Sequence, residues 1–174
     1  RDEAIKTLEG AIDAKPTALN IRFALVGLLV ASQQPAKAWA QVEAMWKAAP
    51  NDLRTEYSEA LVSFARNDTA HAKEAIQRFL ALDSKNLQAL YLSGLIDYQL
   101  GSLAAAEDAL TKVVARAPGS IGARRALAMT YLRSGRPSQA IDTLNPVLQS
   151  AADDAQLMRV AGEAYLASGN MPMA

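Results

Sequence analysis

The side chains of this sequence that could do chemistry are few and far apart. His71 is the sole histidine and there is no cysteine. No imidazole or thiolate set can therefore gather around a metal, and no thiolate is available as a nucleophile. His71 stands between Ala70 and Ala72 at the start of a helical pattern, and the expectation is an exposed helix residue. The pair Asp153-Asp154 is the other candidate for cation or acid–base chemistry. It precedes an apolar-periodic run, where carboxylates cap free N–H groups and favour the helix dipole. No glycine-rich phosphate loop, HExxH helix or nucleophile elbow is present. The sequence thus points to neither enzyme, cofactor nor metal site.

The elements that would position any site repeat along the chain. Residues 87–118 hold two apolar-periodic segments of helical length, broken at Leu100-Gly101-Ser102 and closed by Pro118-Gly119. Steps of 34 residues from Ala106 land on Ala4, Ala38, Ala72, Ala140 and Ala174, alanine each time. Steps of the same size from Pro118 reach Pro16 and Pro50. Small residues also recur on the first helices, at Ala60, Gly94, Ala128 and Gly162, where two backbones must approach closely. Leu8, Val42, Ile76, Leu110 and Leu144 form an aliphatic column expected to fill the space between units. Gly101, Gly135 and Gly169 end first helices, with Asn67 taking that place once.

Leu90, Gly94, Ala106, Leu110 and Pro118 match the W-x2-L-G-x2-Y…A-x3-F…P spacing, so the chain resembles a tetratricopeptide-repeat (TPR) array. The resemblance implies an all-α helix–turn–helix solenoid, a right-handed superhelix of ten helices. Its expected parts are a second helix at 1–18, complete repeats at 19–52, 53–86, 87–120 and 121–154, and a first helix at 155–174. The chain would then begin and end inside repeats, as a piece of a longer protein. Ile5 and Leu8 at one end, and Met158 and Leu166 at the other, would lack cover and favour end-to-end self-association.

Four departures from the pattern carry expectations of their own. Glu56 and Glu59 occupy columns that hold Leu90 and Ser93 one repeat later. They read as a helix face tolerating charge, or alternatively as a pair between Glu56 and Arg22. Asp97 replaces an aromatic, with the Tyr131 hydroxyl a candidate donor. Pro146 should kink or break a helix running from about 138 to 150. Trp39, Val42, Met45 and Trp46 should give one second helix a bulky buried face.

In TPR proteins the first helices line the concave face, and the resemblance carries this over to a stripe of named positions. These are Phe23, Tyr57, Leu61, Tyr91, Leu95, Tyr98, Arg125, Met129, Arg133 and Arg159, with Gln88 beside them. Val30, Phe64 and Leu132 in the same stripe should merely pack first helices together. The surface would grade from aromatic to cationic and suit a protein or peptide segment, apolar at one end and acidic at the other. The TPR clamp for a C-terminal carboxylate uses Lys and Asn, and none of its Asn positions is matched. The alternatives are an architectural spacer without a groove ligand, or an envelope module stacking glycans on Tyr and Trp.

Three runs, LYLSGLIDYQLGSLAAAEDAL, ARRALAMTYLRSGRPSQAIDTLNPVL and DAQLMRVAGEAYLASGN, also resemble the TPR lipoproteins of bacterial exosortase (PEP-CTERM) and exopolysaccharide systems. That likeness implies an envelope-anchored scaffold outside the cytoplasm. The 18 basic residues balance 18 acidic ones, which gives no reason to expect nucleic acid or an anionic membrane. The longest apolar run, Phe23 to Ser32, contains Gly27 and is too short to span a bilayer.

Overall fold

The computed structural model describes residues 1–169, and all the regular structure among them is helical. The ten helices are α1 (Asp2–Ala14), α2 (Leu19–Ala31), α3 (Pro35–Ala48), α4 (Leu53–Ala65), α5 (Thr69–Leu82), α6 (Leu87–Leu100), α7 (Leu103–Arg116), α8 (Ile121–Arg133), α9 (Pro137–Leu148) and α10 (Ala155–Ala167). No helix among the described residues is long and apolar enough to cross a membrane. The chain divides into two compact units, Arg1–Ala89 and Leu90 onward.

In the first unit α2 pairs with α3 and α4 with α5, while α2 also packs on α4, and α1 and α3 each pack on the first helix that follows. Leu25, Val26, Leu29, Ala38, Val42, Met45 and Val62 form the core, joined by Ile5 and Ile12 of α1. Ile5 is therefore buried and Leu8 half-buried, against the expectation of a bare N-terminal face. A second helix presents its apolar stripe to the next first helix, so α1 is covered by α2 alone. Trp46 was expected inside but is 46% exposed, because Val42 and Met45 already fill the side of α3 that meets the core.

In the second unit α8 packs on α7, α9 and α10, and α9 packs on α10. Ala128, Ala140, Leu144, Val147, Leu157, Val160, Ala161 and Ala164 form one buried cluster. Leu110, Ala126 and Leu127 form another. Met158 and Leu166 on α10 are exposed, as expected.

The small columns do what their size requires. Ala38, Ala60, Ala72, Ala106, Ala128 and Ala140 have no solvent exposure. At Gly94 an added methyl would stand 2.5 Å from Leu110 Cγ. Gly162 departs from its column, since an added methyl there would meet nothing within 4 Å. Ala4 is exposed and Ala174 lies outside the described residues.

Gly101, Gly135 and Gly169 all take positive φ, and Asn67 replaces glycine with φ +64°. Gln33, which nothing in its side chain suits to the task, does the same with φ +56°. Of the kink or break expected at Pro146, the break does not occur, and α9 continues to Leu148. Pro146, Asn145 and Asp142 are exposed, so the ring faces solvent and the Asp142 carbonyl it frees can be hydrated. The helix is nonetheless 12 residues long, against 14 for α3, α5 and α7.

Candidate binding clefts

The charged departures of the second repeat are built into a buried cluster. Glu59 has no solvent exposure. Its Oε2 accepts from Arg78 Nη2 at 2.8 Å and from Trp46 Nε1 at 3.2 Å. Glu56 accepts from Arg78 Nε at 2.8 Å. His71 Nε2 stands 2.6 Å from Glu59 Oε1 without making a directed hydrogen bond. The His71 ring meets Trp39 edge-on, and the Arg66 guanidinium lies 4.8 Å from the Trp39 ring centre.

Glu56 stays partly exposed in the first turn of α4 but pairs with Arg78 rather than Arg22, Glu59 is not a solvated charge, and His71 is not a simple exposed residue. Burial of Glu59 requires cationic or N–H partners, and α3 and α5 bring them. Arg22 is occupied elsewhere, donating to Pro16 O at 3.1 Å and Gln41 Oε1 at 2.5 Å. Its register equivalent Arg124 repeats the pattern, donating to Pro118 O at 2.6 Å and Thr143 O at 2.7 Å. These two arginines tie the inter-repeat loop to the second helix, and the recurrence of arginine beside the Pro column was the available signal. Asp97 is buried and accepts from Ser93 Oγ at 3.3 Å. The Tyr131 hydroxyl expected to serve it turns to Glu107 instead.

The first unit has an open cleft of about 460 Å³ on its first-helix face. Phe23 of α2, Tyr57 of α4 and Phe79 of α5 form its apolar wall, with ring centres 5.9 Å and 5.8 Å apart in sequence. Both contacts are inclined rather than stacked, the geometry that aromatic quadrupoles favour. Arg54, Asp83, Asn86 and Gln88 line the rest. Arg54 is held at the entrance by Asp52, the N-cap of α4, through contacts of 2.8 and 2.7 Å. Phe79 was not singled out from sequence. It sits in a second-helix core column with Met45, Val113 and Val147, and only its greater reach carries it to the first-helix face.

In the second unit Tyr91, Leu95, Gly122, Arg125, Met129 and Arg159 converge on one cleft. Tyr98, Met129, Arg133 and Arg159 meet at a neighbouring one, with Leu132 and Glu163. Leu61 reaches none of these clefts and packs against the core of the first unit. The arginines are not bare cations, as a graded surface would need. Arg133 donates to Tyr98 O at 2.7 Å and lies 5.3 Å from the centre of that ring. Arg159 pairs with Glu163 one turn on, and Arg125 is 3.5 Å from Asp154. Asp154 also caps α10, accepting from the backbone of Gln156 and Leu157, as expected for the acidic pair. Among the described residues no group of His, Asp and Glu could hold a metal ion.

Two tetratricopeptide-repeat family profiles match the sequence, one over residues 57–121 and the other over 97–162. No curated protein matches it. Solved structures share its fold. A thermophilic TPR protein of Thermus thermophilus is 19% identical with a TM-score of 0.80, covering 95% of this chain and 90% of its own. YrrB, a TPR protein with an unusual peptide-binding site, is 18% identical with a TM-score of 0.69, covering 94% and 84%. MamA from Desulfovibrio magneticus is 16% identical with a TM-score of 0.75, covering 88% and 87%. At these identities the likeness speaks for the fold.

Proposed function

Residues 57–162 are tetratricopeptide repeats, and from that premise we propose that the chain is a protein-interaction scaffold receiving an extended partner segment on its first-helix face. The observation that carries the reading is the aromatic wall of Phe23, Tyr57 and Phe79 facing an open cleft. Phe23 and Tyr57 stay partly exposed over the buried Phe79, and aromatics left accessible on a folded surface are the anchors around which interfaces form. YrrB, similar in fold, is itself described as having a peptide-binding site. The proposed contact residues are Phe23 and Tyr57 in the first unit, and Tyr91, Leu95, Tyr98, Arg125, Met129, Arg133 and Arg159 in the second. Leu61 serves packing.

The likeness to exosortase-associated lipoproteins extends the proposal to an extracytoplasmic scaffold in protein sorting or polysaccharide assembly. That extension rests on sequence likeness.

The test is selection of random twelve-residue peptides displayed on phage against the immobilised chain, repeated with Tyr57→Ala. Enrichment of apolar-anchored peptides by the native chain, lost in the variant while its helical spectrum is kept, is the expected result. A chain that enriches nothing has no peptide-receiving face, and the architectural-spacer reading then replaces this one.

A further inference from the structure

We propose that the cleft of the second unit selects a carboxylate side chain of the partner segment, and that Gly122 is the position that opens it. The inference rests on the scaffold reading above and names what part of that face recognises. Gly122 belongs to a register column whose other members are Asn20, Arg54, Gln88 and Gln156, all longer polar residues. Arg54 shows what such a side chain does, since it lies at the entrance of the aromatic cleft, held by Asp52. At Gly122 the space is left to Tyr91, whose hydroxyl lies 3.1 Å from where a Cβ would stand.

The groups around this opening are donors short of acceptors. The Tyr91 hydroxyl makes no hydrogen bond among the described residues. The sole partner of the Arg125 side chain there is Asp154 at 3.5 Å, and one oxygen of that carboxylate already accepts two backbone N–H groups. Arg159 is exposed and, among the described residues, paired with Glu163 alone. A guanidinium carries five N–H donors in a planar fork, so each has capacity unused. Leu95, Ala126 and Met129 supply an apolar floor beneath them. A planar, acceptor-only anion on a short aliphatic stem meets all of these at once: hydroxyl and guanidinium for the carboxylate, floor for the methylenes.

The experiment uses a twelve-residue peptide enriched by the display selection, synthesised with an amidated C-terminus and measured by fluorescence polarisation. Expected are an Asp or Glu beside an aliphatic residue in the enriched sequences, and about tenfold weaker binding when that acid becomes its amide. Arg125→Gln should abolish the difference between acid and amide peptides, and Gly122→Gln should reduce it, with unchanged thermal midpoints. An acid-to-amide change without effect, or the same loss on Arg125→Gln as on the native chain, overturns the proposal. Binding that requires a free C-terminus also overturns it, because the carboxylate would then be the main chain's. Preference for a phosphoserine peptide over the glutamate peptide would assign the site to phosphate instead. Peptides without acid enrichment that still depend on Tyr57 would sink this inference and leave the scaffold reading standing. A selection that enriches nothing removes both.

Discussion

The carboxylate of Glu59, closed off from solvent, is held by the Arg78 guanidinium at 2.8 Å from the neighbouring helix of its pair. Arg78 also grips Glu56, so one cation on α5 answers two acids on α4. Removing the cation strands a buried charge, which costs about 3–5 kcal/mol when both partners are buried. Arg78 is 44% exposed, and water can reach the gap, so Arg78→Ala should destabilise by about 2 kcal/mol. Glu59→Gln combined with Arg78→Met should recover part of that loss. Urea midpoints of the native chain and the two variants check the order, and an Arg78→Ala midpoint equal to the native one would contradict it.

Ala106 has no solvent exposure and Ala104, two residues earlier, is exposed. Ala106→Leu should lower stability by about 1–3 kcal/mol through overpacking, and Ala104→Leu should be nearly silent. Gly94→Ala should behave like the former, because its methyl would collide with Leu110. Thermal unfolding of the three variants measures this; equal shifts for Ala106→Leu and Ala104→Leu would disprove the column.

Acid should weaken the fold through two named carboxylates. The hydrogen-bonded Arg136 guanidinium holds Glu107 below the usual carboxylate range, and Arg54 does the same for Asp52. A depressed folded pKa gives stability that is present above the unfolded value and lost as pH falls through the folded one. Arg136→Met should therefore lower the urea midpoint at pH 7 and make little difference near pH 2. A gap between variant and native that stays constant from pH 7 to pH 2 would show that the ion pair contributes nothing.

Gln33 holds φ +56° in the turn between α2 and α3, where the later repeats place Asn or Gly. A side chain with a Cβ pays for that conformation with steric crowding, so Gln33→Gly should stabilise by about 0.5–1 kcal/mol. A lower melting temperature for Gln33→Gly would mean that its side chain contributes contacts worth more than the strain.

The repeat was legible in the sequence because it is written in backbone terms. Alanine every 34 residues, glycine or asparagine at the turns and proline after second helices are demands of close helix approach and left-handed φ. Such demands are met residue by residue, without reference to distant partners, so all ten helices and their order followed. The first-helix stripe was legible for the same reason, since helical spacing places Phe23 and Tyr57, or Tyr91 and Arg125, in equivalent positions.

What the tertiary structure alone decided is how side chains were shared. Polar groups pair by reach and direction, which depend on helix packing; so Glu59 found Arg78 and Trp46, Arg22 found Gln41, and the Tyr131 hydroxyl found Glu107. Cleft walls are likewise set by length as much as by register, which brought in Phe79 from a second helix and left Leu61 in the core. The emptiness above Gly122 is the same kind of fact. A missing side chain has no signature in a helical pattern until a neighbour, here Tyr91, is seen to face the space it leaves.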